Sequence, residues 1–300
     1  MADGDVILGP NQYGKAEVRV VRITRDTEVH EIEDLNVTSQ LRGDFEACHT
    51  VGDNSQVVAT DTQKNTVYAF AKEHGIGSPE QFLMTLGRHF VKEFEWVTGG
   101  RWEAEQFGWQ RILVDDQPHD HAFVRTGEET RTTVVQLDGD DTHVVSGLKD
   151  CTVLKSTGSE FHGFPRDRYT TLVETDDRIL ATSVTAWWRY TDLDIDFDAA
   201  YDAIRATLLS TFASVHSLAL QQTIFAAGRA VLEVHPEVGE MKLSCPNKHH
   251  FLVDLEPFGL KNENEVFFAA DRPYGLIQAT LQREGAAAVP EAWATVPGFC

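Results

Sequence analysis

Toward the end of the chain, Ser244-Cys245-Pro246-Asn247-Lys248-His249-His250-Phe251 sets an amide, a proline-fixed turn and two imidazoles just before the alternating apolar run Leu252-Val253-Asp254-Leu255. Imidazoles exchange protons near neutral pH and a primary amide both donates and accepts hydrogen bonds, so this cluster at the start of a strand suggests a site rather than a solvated loop. Lys15 follows Tyr13-Gly14 at the mouth of a strand. A lysine there serves as a base only where burial or neighbouring positive charge lowers its pKa, and is otherwise a solvated surface cation. Gly14 is expected to let the backbone pass close to a ligand. Thr60-Asp61 ends the apolar run Gln56-Val57-Val58-Ala59, and a hydroxyl that donates and accepts can relay a proton between a substrate and Lys15. The plainer reading of Thr60 is a turn residue at a strand end.

Three further positions have the right chemistry for holding a flat polar ligand. Phe161 lies in Ser159-Glu160-Phe161-His162-Gly163-Phe164-Pro165, too rich in turn formers for a core strand, so its ring is either partly open or a satellite of the core. Arg178 follows Asp176-Asp177 and either pairs with one of them or presents its planar fork to a ligand. Gln221, in His216-Ser217-Leu218-Ala219-Leu220-Gln221-Gln222, offers one acceptor and two donors. Asn247 and His249 can equally be an ordinary turn amide and a satisfied structural imidazole.

The elements that must position these groups follow from periodicity. Alternation marks Glu17–Ile23 and His30–Val37 as a hairpin across Arg25-Asp26-Thr27-Glu28. Ser78-Pro79-Glu80-Gln81 combines an N-cap serine, proline at the first helical position and glutamine two residues later, opening a helix that buries Phe82, Leu83, Leu86, Phe90, Val91 and Phe94 and stops near Gly99-Gly100. Strands are expected over Trp102–Phe107, Arg111–Val114, Ala122–Arg125, Arg131–Leu137 and His143–Leu148, as a meander. A second helix begins at about Asp196 or Asp198, with Tyr201, Ile204, Leu208, Phe212 and Val215 at helical spacing, and strands at Val231–Val234, Phe251–Leu255 and Val266–Phe268 close the chain. The order β-β-α-β-β thus occurs twice, and the exposed sheet edges such a layout leaves point to oligomerisation.

Composition narrows the function classes. Three hundred residues, 42% of them hydrophobic, with no apolar run long enough to span a bilayer, imply a well-cored soluble chain, and the absence of a recognisable leader or address makes the cytoplasm the expected location. A formal charge of −21 repels a phosphate backbone, so nucleic-acid binding is excluded and any anionic ligand must be drawn by local cations, of which Lys15, Arg178 and Lys248 are candidates. The four cysteines, Cys48, Cys151, Cys245 and Cys300, lack C-x-x-C spacing and are expected to be reduced thiols. His119-Asp120-His121 lacks a third metal ligand at a recognisable spacing, and no dinucleotide fingerprint, P-loop or nucleophile elbow is present.

Taken together, Tyr13-Gly14-Lys15, Val57-Val58-Ala59-Thr60-Asp61 with Lys64-Asn65-Thr66, Phe161-His162-Gly163-Phe164 with Arg178, and the Asn247–His249 cluster are ordered and spaced in a way that resembles urate oxidase (uricase), from about Tyr13 to about Leu281. The resemblance implies an α+β fold of two tandem tunnelling-fold (T-fold) modules, residues 10–140 and 141–290, each an antiparallel sheet with helices on one face. It implies a homotetramer closed into an oligomeric β-barrel tunnel, with active sites between subunits. The implied activity is oxidation of urate by O2 and water to 5-hydroxyisourate and H2O2, with neither metal nor organic cofactor. In that scheme Lys15 is the base and Thr60 its relay. Asp61 offers its backbone N–H to the purine from the neighbouring subunit, Phe161 is the stacking platform, and Arg178 holds a carbonyl and a ring nitrogen. Leu220 contributes a backbone N–H and Gln221 its amide. Asn247 faces Thr60 across the ring to bind O2, peroxide or water, and His249 supports Lys15. Two consecutive glutamines leave the register open by one residue, and the spacing from His216-Ser217 favours Gln221. His250 receives no role. The rival readings are a zinc-dependent purine or pterin enzyme of the same fold, and a purine-binding protein without catalysis.

Overall fold

The structure, a computed structural model, describes residues 6–270 and 272–294. Cys300 and the two chain ends considered above lie outside the described residues. The chain divides into two compact units, Met1–Ser146 with Ala287–Cys300, and Gly147–Ala286.

The first unit contains β1 (Tyr13–Thr24), β2 (Glu31–Gly43), α1 (Glu46–Thr50), α2 (Thr60–Glu73), α3 (Pro79–Glu93), β3 (Val97–Val114) and β4 (Gln117–Asp138). Its strands pair antiparallel in the order β1-β2-β3-β4. β3 and β4 form one long hairpin across Asp115-Asp116, whose φ values of 52° and 62° suit the twist of a two-residue turn. The four strands expected here are therefore two, bent at register shifts between Phe107 and Trp109 and between Arg111 and Leu113. Alternation on β2 puts Leu35, Val37 and Leu41 into the core with Trp102 of β3 and Leu83, Leu86 and Phe90 of α3, all fully buried. Each such side chain contributes about 1.5–3 kcal/mol of apolar burial. Ser78 caps α3 as its sequence suggests, accepting from the Gln81 N–H, but α3 ends at Glu93, and Gly99-Gly100 lie within β3.

β5 (Asp141–Lys155) runs from the first unit into the second, which continues with β6 (Leu180–Tyr190), α4 (Phe197–Ser214), α5 (Leu220–Val234), β7 (Val238–Asn247), β8 (His250–Leu252), β9 (Phe267–Ala269) and β10 (Gly275–Gln282). The order here is β5-β6-β7-β10, with β6/β7 and β7/β10 antiparallel, and β8-β9 forms a separate antiparallel ribbon. Asp196 caps α4 by accepting from the Asp198 and Ala199 N–H groups. Trp188, Ile204, Val231 and Met241 are fully buried in its core.

Each half carries more helix than its sequence announces. The Val57–Thr60 stretch is a loop entering α2, and Val231–Val234 is the last turn of α5, not a strand. The His-rich cluster likewise lies at the end of β7 and the start of the short β8, where a longer strand was expected after it. The architecture is α+β and mostly antiparallel. Among the described residues no helix is long and apolar enough to cross a membrane, and Cys48, Cys151 and Cys245 are not joined in disulfides.

Candidate active site

In the first unit, the start of β1 is shaped by close approach of β2. A Cβ on Gly14 would sit 1.7 Å from the Ser39 carbonyl oxygen, so the neighbouring strand by itself requires glycine here. Lys15 pairs with Ser39, and the register then shifts before Val18 pairs with Val37. Ala16 and Glu17 therefore oppose one residue, Thr38. Glu17 takes φ 57° and donates its N–H to the Thr38 hydroxyl at 3.1 Å. Such bulges re-aim neighbouring side chains. Lys15 is half-buried and, among the described residues, has no hydrogen-bond or ion-pair partner.

Thr60 is the first residue of α2 and Asp61 the second, a helix start instead of a strand end. The first helical hydrogen bond is Gln63 N–H to the Ala59 carbonyl at 3.1 Å, so the Thr60 and Asp61 N–H groups precede it. The Asp61 carboxylate accepts from Lys64 and from Asn65, and the Lys64 ammonium leads the causes that hold its pKa below the ordinary carboxylate value. Its side chain is engaged by its own helix, which leaves the backbone N–H as what Asp61 can offer. The Tyr13 hydroxyl donates to the Val58 carbonyl at 3.2 Å, tying the Lys15 strand to the entrance of α2, and burial raises the Tyr13 pKa.

In the second unit, one backbone network gathers Phe161, Arg178 and the start of α5. Ser159 bridges Ser217, with Ser217 N–H to the Gly158 carbonyl at 2.9 Å and Glu160 N–H to the Ser217 carbonyl at 2.8 Å. Phe161 exchanges hydrogen bonds with Thr175, and Arg178 N–H donates to the Ser159 carbonyl at 2.8 Å. The Ser217 and Thr223 hydroxyls, both buried, meet at 2.5 Å and fix the first turn of α5.

The aspartates beside Arg178 are occupied elsewhere. Asp177 accepts from the Thr157 hydroxyl at 2.9 Å and the Gly158 N–H at 3.0 Å, and Asp176 lies 2.8 Å from His162. Arg178 has only a 3.4 Å contact from Nε to the Ser159 hydroxyl; among the described residues its terminal nitrogens have no partner. Its guanidinium carbon stands 5.1 Å from the centre of the Phe161 ring, and burial lowers its pKa. Phe164 stacks on Phe161 at 5.1 Å and 14°.

Leu220 buries its side chain, leaving a backbone N–H at the first position of α5. The Gln222 amide oxygen accepts from the Leu218 N–H at 3.2 Å, whereas the exposed Gln221 amide has no partner among the described residues. Asn247 ends β7 between Thr182 and Gly275. His249 is half-buried, and burial, then Arg178, then His250 push its pKa below the ordinary imidazole value. The His250 Nδ1–H donates to the Lys248 carbonyl at 3.1 Å, a local structural use.

Sequence reading missed Tyr13's anchoring of Val58, the Asp177 clamp, and the buried hydroxyls of Ser39, Ser217 and Thr223. Apart from the alternation that puts Ser39 on the apolar face of β2, no local pattern announces them. Two of the missed helices, α2 and α5, share a further property. The cap residues of α2 and α5 are Ala59 and Ala219, and neither supplies a side-chain hydrogen bond, while α3 and α4 are capped by Ser78 and Asp196. Uncapped helix starts expose N–H donors and positive dipole ends that suit a small anion. Among the described residues no three His, Cys, Asp or Glu side chains are grouped to hold a metal ion.

Comparison with known proteins gives a consistent result. The Uricase family model matches residues 11–136 and 144–278. The chain is 64% identical to the Uricase of Arthrobacter globiformis over 295 residues, covering 98% of this chain and 96% of that protein. It is 38% identical to the Uricase of Dictyostelium discoideum, covering 91% and 96%. The crystal structure of the Arthrobacter globiformis uricase superposes with a TM-score of 0.93 over 97% of this chain and 99% of that one, and a uricase from Bacillus fastidious with 0.79 at 25% identity over 94% of each.

Proposed function

The chain belongs to the uricase family, and on that premise we propose how its residues carry out the family's reaction. It is a urate oxidase: urate, O2 and water give 5-hydroxyisourate and H2O2. Ground-state O2 is a triplet and reacts slowly with closed-shell molecules, so the protein must make urate a good one-electron donor. Deprotonation does this.

The observation that carries the reading is the half-buried Arg178 guanidinium, without a carboxylate partner, beside the Phe161 ring. A planar anion lying in the plane of that fork rests over Phe161, and a bidentate contact from arginine is a geometry lysine cannot reproduce. Gln221 and the Leu220 N–H supply further edge contacts at the start of α5, where the dipole favours negative charge. Asp61 offers its backbone N–H in the same way from the start of α2.

Lys15, through the Thr60 hydroxyl, removes a further proton from bound urate. The resulting dianion passes electrons to O2 held near Thr60 and Asn247, and positioning with electrostatic stabilisation supplies most of the acceleration. His249, kept neutral by its surroundings, moves protons to peroxide and from the water that adds at C5. We take the reaction to need no metal or organic cofactor. We further take the two tandem units as T-fold modules of a homotetramer whose barrel forms a tunnel, with Thr60 and Asp61 of one subunit completing the site of another. Exposed apolar side chains on the β8-β9 ribbon, including Phe251 and Phe268, are what such an assembly would cover.

The test is loss of urate's ultraviolet absorbance with simultaneous O2 uptake and H2O2 production, using purified protein treated with chelator. Stoichiometric consumption is expected. Urate binding without consumption would reduce the protein to a purine binder, and activity restored only by added zinc would overturn the cofactor-free scheme.

A further inference from the structure

We infer that Gln63 is a positioning residue for proton removal: its buried amide, held by Ser39 on one side and Val58 on the other, sets where Thr60 stands relative to Lys15. The inference rests on the assignment of Lys15 and Thr60 to the proton path.

Lys15 lies opposite Ser39 across the β1/β2 pair, and directly opposed residues of an antiparallel pair share a face of the sheet. That face carries Leu35, Val37 and Leu41, all fully buried, and Ser39, equally buried, is the polar member of the series. On α2, Gln63 is fully buried and follows Thr60 by three residues, so the two side chains fall on the same side of the helix. Its backbone N–H closes the first turn on the Ala59 carbonyl at 3.1 Å.

The side chain is used at both ends. The Ser39 hydroxyl donates to Gln63 Oε1 at 3.0 Å, and Gln63 Nε2 donates to the Val58 carbonyl at 3.4 Å. The same carbonyl accepts the Tyr13 hydroxyl at 3.2 Å. Two short routes therefore join the strand bearing Lys15 to the turn bearing Thr60, one through Ser39 and Gln63, the other through Tyr13 and Val58. A buried amide is costly to desolvate unless it is bonded, and an apolar side chain of similar volume would fill this position at lower cost. What the amide adds is a fixed register between β2 and the start of α2, and proton relay tolerates little misplacement.

The experiment compares Gln63→Met, Ser39→Ala and Ser39→Thr with the unaltered protein and with Lys15→Met. Gln63→Met and Ser39→Ala are expected to lower kcat roughly 10- to 100-fold, the scale of a misplaced catalytic group. KM for urate should change little, and the pH–rate profile should move. Ser39→Thr, which keeps the hydroxyl, is expected to retain most of the activity. A residue that only packs the core would lower the melting temperature without moving the pH profile of the folded enzyme. Should Gln63→Met not fold, Ser39→Ala, which deletes one hydroxyl, decides alone. Wild-type kcat and pH profile in well-folded variants, with Lys15→Met inactive, would overturn the inference and leave the proton path standing. Full turnover by Lys15→Met would remove the path itself, and the inference with it.

Discussion

The Arg178 guanidinium carbon stands 5.1 Å from the centre of the Phe161 ring, and the Arg178 N–H is bonded to the carbonyl of Ser159, two residues before that ring. The guanidinium and the ring are thus built into one loop network, while the neighbouring carboxylates are committed to Thr157, Gly158 and His162. Replacing Arg178 by lysine keeps the charge and loses the paired donors of the guanidinium fork. Because charge-assisted hydrogen bonds contribute about 1.5–3 kcal/mol each, Arg178→Lys should raise KM for urate on the order of 10- to 100-fold. Steady-state kinetics and binding of a non-oxidisable purine check this, and unaltered affinity would show that the ligand lies elsewhere.

A pH dependence follows from His249. Burial, then Arg178, then His250 lower its pKa from 6.5, so the ring stays neutral through neutral pH. As pH falls below the ordinary imidazole value the unfolded chain takes up a proton before the folded one does. Stability is therefore fully kept above that value, declines as pH falls toward the depressed folded value, and flattens below it. An imidazole NMR titration should place the midpoint below 6.5, and Arg178→Met should move it upward by removing a repulsive neighbour. A midpoint at or above 6.5 would contradict this electrostatic account.

Stability of the first unit should be sensitive to Glu80. This fully buried carboxylate accepts from Arg131 at 2.7 Å, from Thr133 at 3.0 Å and from Ser146 at 2.5 Å, pinning the start of α3 to β4 and β5. Removing the carboxylate deletes one partner of a buried ion pair, a loss of up to about 3–5 kcal/mol. Glu80→Ala should lower the melting temperature or denaturation midpoint accordingly, and Glu80→Gln, which still accepts hydrogen bonds, should cost less. Equal losses for both would mean that geometry, not charge, is what matters there.

What was legible in the sequence divides by mechanism. α3 and α4 could be placed because Ser78 and Asp196 cap them and their buried residues recur at helical spacing. α2 and α5 could not, because their cap positions are alanines; α2 shows only Gln63, Val67 and Ala71 as a thin buried stripe, and the apolar end of α5 mimics a strand. Neither helix start has a side-chain cap that would mark it in the sequence. The division of β3 and β4 into shorter strands failed for a different reason, since bulges interrupt the alternation without interrupting the strand. Lys15, Phe161, Arg178 and Asn247 stand out through motif spacing, whereas Ser39, Gln63 and Asp177 act through contacts between distant segments.

The structure also separates two adjacent glutamines that the sequence left open. Gln222 uses its side-chain oxygen to accept the Leu218 N–H at 3.2 Å, bracing the approach to α5, while the neighbouring Gln221 amide is exposed and without a partner among the described residues. Gln222→Ala should therefore cost about 0.5–1.5 kcal/mol of stability, as the loss of one hydrogen bond does, and leave KM for urate nearly unchanged. Gln221→Ala should do the reverse, raising KM with little effect on melting temperature. Measuring both quantities on both variants is decisive, because a crossed result, with Gln222 controlling KM and Gln221 controlling stability, would place the substrate-contacting register one residue further along the helix.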